Sequence, residues 1–162
     1  MASIKKKFSL ALIGAGIGMI GEELISGRRL RSTIRKKEDD AGKLQEFYLI
    51  LIQWLRVHQE GRTLTNYFIK NNLHTVAIYG MKELGEALLE ELKNTDVEVK
   101  YAIDRDADNL YVEVDTYRPD EELGTVDVIV VTAVHYFDAI EESLKNKVDA
   151  KIVSLEDVVW EA

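Results

Sequence analysis

The stretch VAIYGMKELGEALLEEL, from Val76 to Leu92, constrains the fold of this chain more than any other. Val76-Ala77-Ile78-Tyr79 is the short apolar run of a buried strand, Gly80 ends it, and Leu84, Ala87, Leu88 and Leu92 recur at the spacing of one helix face. Strand, glycine turn and helix in that order open an α/β unit.

The residues after Leu92 extend the pattern. Val97 to Ile103 reads as a second strand ending at Asp104, and Tyr111 to Thr116 as a short alternating edge strand, with Pro119 in the loop beyond it. Val126 to Thr132 is near-continuously apolar, as a central parallel strand is when both of its faces are covered. Phe137, Ile140 and Leu144 mark a helix face, Ala150 to Val153 a last strand, and Leu155 to Trp160 a terminal helical turn. With right-handed crossovers the expectation is an α/β, Rossmann-like parallel sheet of five strands in the order 3-2-1-4-5, preceded by N-terminal helices. Ligands of such sheets lie at the carboxyl ends of the strands, where the order reverses, here between the first and fourth strands.

The crevice so placed is lined by the Gly80 loop and by Thr132 to Tyr136. The dinucleotide fingerprint G-x-G-x-x-G falls on Gly80, Lys82 and Gly85, with lysine at the middle position. Lys82 has three readings: it closes the backbone approach a pyrophosphate needs, it meets a phosphate as a point charge, or it is a solvated first-turn lysine. Asp104 stands where a ribose-binding acid stands in a dinucleotide fold; a polar turn Asp104-Arg105-Asp106 explains it equally well. Thr132 and His135 are the further candidates. A lone histidine at the start of a helix can bind a ligand or shuttle a proton, and more often caps or packs. Gly80, Met81, Lys82, Gly85, Asp104, Thr132 and His135 are therefore the candidate binding residues, with NAD(P) or a nucleotide-sugar as the ligand class. No nucleophile, base and orienter assemble from the sequence, and His58, His74 and His135 lack metal-ligand spacing. Absence of cysteine removes disulfides and thiolate chemistry, and a net charge of -8 argues against general nucleic-acid binding.

A second glycine fingerprint, Gly16, Gly18 and Gly21, is complete, yet EELISGRRLRSTIRKKEDD comes after it and supplies no second apolar strand ending in an acid. It is a decoy. The apolar run Phe8 to Ile20 is too glycine-rich for a stable water-exposed helix and shorter than the ~20 residues a spanning helix needs. A short or interfacial membrane anchor is the preferred reading, ahead of a soluble helix and of a secretory signal peptide. The basic cluster from Arg28 to Lys37 would keep the remainder of the chain on the cytoplasmic side, tethered to the inner face of the membrane.

Residues 1–40 thus form a leader and basic linker, 41–72 a helical segment, and 73–162 the Rossmann-like domain. In the middle segment a strong helix from about Ala41 to Gln59 ends at Gly61, and a shorter one from Thr63 to Lys70 takes Thr63 as N-cap and Asn71-Asn72 as its stop. The first is apolar on more than one side, so it buries two faces. A homodimer through Leu44, Phe47, Leu51, Trp54 and Leu55 is expected, with packing inside one chain as the alternative.

At VAIYGMKELGEALLEELK, YAIDRDAD, VDVIVVTAVHYFDAIEESLK and IVSLEDVVWE the chain resembles the Rossmann-like domains encoded among capsule and cell-surface polysaccharide genes of Gram-positive bacteria. The resemblance runs from about Gln53 to the C-terminus and rests on the order and spacing of generic motifs. It implies an accessory nucleotide- or nucleotide-sugar-binding module of envelope polysaccharide biosynthesis, with no reaction attached. A ligand-free scaffold that keeps the fold is the alternative, and an NAD(P)-dependent sugar-modifying enzyme the third.

Overall fold

A computed structural model of the protein describes residues 33–162. The leader Phe8 to Ile20 and the decoy glycines lie outside the described residues. Among the described residues no helix is long and apolar enough to cross a membrane.

Residues 33–59 are helical (α1), and a compact unit, Glu46–Ala162, begins within them; Met1–Gln45 is the other unit. Residues 33–40 are helical and exposed, so the described part of the basic linker is a solvated extension of the helix. In the compact unit α1 ends at Gly61 as its sequence predicts. Gly61 adopts φ +73°, its N–H donates to the His58 carbonyl at 3.0 Å, and the Arg62 N–H donates to the Val57 carbonyl at 3.0 Å. This is the Schellman closure, in which a residue in the left-handed region satisfies the last carbonyls of the helix.

Helix α2 (Thr65–Lys70) ends the same way on asparagine: Asn72 takes φ +55°, Asn72 N–H reaches Ile69, and Leu73 N–H reaches Phe68 at 2.9 Å. Phe68 and Leu73 both join the core, the apolar contact that accompanies this closure. The start of α2 differs from expectation. Leu64, not Thr63, is the N-cap, and no side chain of its own caps the helix. Leu64 instead donates its N–H to the carboxylate of Glu91 at 2.6 Å.

Five parallel strands come next, in the order β3-β2-β1-β4-β5: β1 (Thr75–Tyr79), β2 (Glu98–Ile103), β3 (Thr116–Tyr117), β4 (Val128–Val131) and β5 (Lys151–Ser154). Sheet order and class are those read from the sequence. Helices α3 (Glu83–Leu92), α4 (Phe137–Leu144) and α5 (Leu155–Glu161) complete the unit. Because side chains alternate along a strand, Val76, Ile78, Val128 and Val130 face one cluster while Ala77, Tyr79, Ile129 and Val131 face the other. The first cluster lies under α1, α2, α3 and α5, through Ile50, Trp54, Phe68, Leu88 and Val158 among others. The helical segment before residue 73 and the sheet after it therefore share one core. On the second face α4 is the one helix that packs among the described residues, through Ile140 and Leu144, with the connection from β3 to β4 beside it. Tyr101 donates its hydroxyl to the Gly124 carbonyl at 2.5 Å there, and its ring meets Tyr117 edge-to-face at 5.4 Å. Burial raises the Tyr101 phenol above its ordinary value, with Tyr117 adding to the effect.

The edge strand is shorter than its alternation suggests. Tyr111 is fully exposed, and Leu110, Val112 and Val114 pack as irregular chain against the helix-covered cluster, so the alternation serves a crossover over the sheet face. Ladder bonds begin only where Ala102 N–H donates to Asp115, at 2.8 Å.

Helix α1 explains its own broad apolar surface. A turn of about 100° per residue separates two stripes. Ile50, Trp54 and Val57 are buried and Phe47 is half-buried against them, whereas Leu44, Tyr48, Leu51 and Leu55 remain exposed. Phe47 and Trp54 thus belong to the core, and the exposed set is Leu44, Leu51 and Leu55 with Tyr48 added.

Candidate functional site

At the carboxyl end of β1 the chain turns through Gly80 at φ +96°, in the left-handed region that favours glycine. Its N–H extends the ladder to Ile103 at 2.8 Å. Space as well as backbone demands glycine there, since a Cβ would stand 2.8 Å from Thr132 Oγ1. Thr132, buried at the end of β4, donates its hydroxyl to the Gly80 carbonyl at 2.6 Å, with the Tyr79 carbonyl at 3.1 Å. The two sides of the crevice are thereby tied together at its base.

Gly85 lies in the first turn of α3, and a Cβ on it would come within 2.1 Å of the Gly80 carbonyl oxygen. Helix α3 therefore rests directly on the loop that precedes it. In a dinucleotide fingerprint the first glycine makes the tight turn, the third allows the helix to approach, and the second lets a pyrophosphate near. Gly80 and Gly85 perform the two tasks that concern the protein itself.

Lys82 occupies the second position. It is the N-cap of α3 with extended backbone (φ -95°, ψ -162°), its side chain is exposed, and no side chain caps the helix. Among the described residues no carboxylate pairs with its ammonium. Of the readings open for this residue, a side chain turned into the loop is the one the geometry does not adopt. The amino end of α3 carries the positive end of the helix dipole, and Glu83 and Glu86 in its first turn offset part of that field.

Met81 is core: it is 1% exposed, and its N–H donates to Asp104 Oδ2 at 2.8 Å. Asp104 makes the polar turn and also braces the glycine loop. One oxygen holds the Gly80 loop through Met81, and the other accepts the Asp106 N–H at 2.9 Å to form a local turn. His135 sits in a single 3-10 turn, Val134–Tyr136, with its ring edge-to-face on Tyr136 at 5.3 Å. Its Nδ1 stands 3.2 Å from the Glu46 carboxylate on α1, a partner no sequence spacing indicates.

Gly80, Met81, Asp104, Thr132 and Gly85 are thus brought together, Lys82 stands at their exposed rim, and His135 turns to α1. A cavity of about 420 Å³ lies elsewhere, lined by Arg62, Asn66, Ile69, Lys70, Glu161 and Ala162, and contains none of the candidate residues. No cluster of His, Cys, Asp or Glu able to hold a metal occurs among the described residues.

Two further carboxylates organise the unit. Glu91 accepts from the Trp54 indole N–H, from Leu64 N–H, and faces His58 Nε2 at 3.1 Å. Asp127 Oδ2 accepts from the N–H groups of His74 and Thr75, both at 2.8 Å, while Thr75 Oγ1 accepts from Asp127 N–H at 2.9 Å. Both sets of bonds span long sequence separations, which is why local pattern reading misses them.

Sheet order, glycine turn and helix approach define an α/β domain of Rossmann-like fold. Comparison with protein families, with curated proteins and with solved structures found no match.

Proposed function

We propose that the protein binds a nucleotide or nucleotide-sugar at the Gly80 loop, as a non-catalytic accessory module of cell-envelope polysaccharide synthesis. The observation that carries this reading is the amino end of α3, which has no side-chain cap hydrogen bond and has an unpaired, exposed lysine as its N-cap residue. Free N–H groups, a helix dipole and a flexible ammonium favour a phosphate at this point of the sheet. NAD(P) belongs to the same ligand class. The envelope setting rests on the resemblance of the motifs, and a tether at the inner face of the membrane on the apolar run Phe8 to Ile20.

A second reading has its own support. Thr132 spends its hydroxyl on Gly80, and both oxygens of Asp104 accept backbone N–H groups. A fold that keeps its structural glycines and turns its polar atoms inward suits a ligand-free interaction scaffold.

Thermal-shift measurements with NAD, NADP, UDP-sugars and CoA separate the two. Ligand at a hundred times its Kd stabilises by about 2.7 kcal/mol. The binding reading expects a rise with one of these ligands that Lys82→Glu abolishes while leaving the unliganded melting temperature unchanged. No shift with any of them at millimolar concentration favours the scaffold.

A further inference from the structure

The turn that leaves β2 holds an arginine that its acidic neighbours pass over. Asp104, Asp106 and Asp108 surround Arg105 in the run DRDAD. Each is committed elsewhere: Asp104 accepts the N–H groups of Met81 and Asp106 at 2.8 and 2.9 Å, Asp106 accepts from the side-chain amide of Asn109 at 2.5 Å, and Asp108 pairs with Arg118. Arg105 is exposed, and among the described residues no carboxylate pairs with its guanidinium.

This turn adjoins the Gly80 loop. The bond from Met81 N–H to Asp104 Oδ2 joins the two, and in the chain Lys82 follows one end of it while Arg105 follows the other, so two cations without carboxylate partners flank one contact. In an open parallel sheet a diphosphate lies at the first glycine turn, and the ribose beyond it lies at the end of the second strand. An acid that reads ribose offers its oxygens to the hydroxyls. Asp104 gives each of its oxygens to a backbone N–H instead, and the group this strand end presents to solvent is the guanidinium of Arg105. Its rigid fork of donors matches the oxygens of a phosphate. The acids nearby keep the field at the turn low, so a phosphate is held there by hydrogen bonds at close range rather than by long-range attraction.

We infer that Arg105 takes a phosphate carried on the ribose, so that the ligand class is a nucleotide with a diphosphate and a separate ribose monophosphate. The inference rests on nucleotide binding at the Gly80 loop and narrows it. Arg105 is then the residue that determines specificity.

Calorimetric titration of the full-length chain with two matched pairs tests it: NAD against NADP, which differ by a 2′-phosphate, and dephospho-CoA against CoA, which differ by a 3′-phosphate. In one pair the phosphorylated member is expected to bind roughly tenfold tighter, and the pair that does so tells the 2′ position from the 3′. Arg105→Gln is expected to remove that preference, and Arg105→Lys, which keeps the charge and loses the fork, to restore part of it. Equal binding within both pairs overturns the inference and leaves the Gly80 loop reading in place, as does binding of a UDP-sugar alone. A preference that survives Arg105→Gln overturns the role of Arg105. No binding of any of these ligands overturns the Gly80 loop reading and this inference with it.

Discussion

Trp54 on α1 donates its indole N–H to the carboxylate of Glu91 on α3. The same carboxylate receives the Leu64 N–H, so one acid joins two helices and caps a third. Its side chain is only 10% exposed. Removing it leaves two buried donors without partners, each costing about 1–3 kcal/mol. Glu91→Ala is expected to destabilise the protein by roughly 2–4 kcal/mol in urea unfolding. Glu91→Gln keeps an acceptor and should lose about half as much. An alanine variant within experimental error of wild type would remove Glu91 from its role as a hub.

Glycines at two sites have opposite expected behaviour. Gly85→Ala drives a methyl into the Gly80 carbonyl, a backbone atom, at 2.1 Å, so α3 has to lift. Overpacking of this kind costs about 1–3 kcal/mol. Gly42 is helical with open space around it, and alanine there gains up to about 1 kcal/mol of helix propensity. Unfolding of Gly85→Ala and the helical signal of Gly42→Ala by circular dichroism check the pair.

Asp127 carries a pH dependence with a definite sign. The N–H groups of His74 and then Thr75 hold its carboxyl below the ordinary aspartate value of 3.8, with the Thr75 hydroxyl adding to them. A carboxyl depressed in the folded state contributes stability above that value and loses it as pH falls through the folded pKa. Asp127→Ala should therefore unfold more readily than wild type at neutral pH, and the gap should narrow in acid below 3.8. The site is solvent-exposed, so the effect is modest. A gap of constant size from neutral pH into strong acid would assign the loss to something other than the charge.

The sheet is legible in the sequence because its central strands, β1 and β4, are apolar on both faces and each ends on a turn or helix signal. Gly80, Gly61 and Asn72 are legible for a related reason: left-handed backbone leaves few residue choices. Long-range chemistry escapes such reading. Nothing near Glu91 announces Trp54, and nothing near His135 announces Glu46. Alternation at Leu110, Val112 and Val114 misleads because a crossover lying on a sheet face shows the same period as a strand. In α1, counting apolar residues reveals two faces, but only packing assigns Phe47 and Trp54 to one and Leu51 and Leu55 to the other. At the candidate site, Gly80 and Asp104 are readable from position, while the Thr132 hydroxyl bridge depends on two strands meeting.

The brevity of the outer strands bears on aggregation. One border of the sheet is the two-residue β3, and the other, β5, is four residues long and begins at Lys151. Free strand borders are templates on which further chains can add, and truncation and lysine are the usual defences. This sheet offers almost nothing to extend. Open-ended stacking of further strands on either border of the sheet is thereby disfavoured.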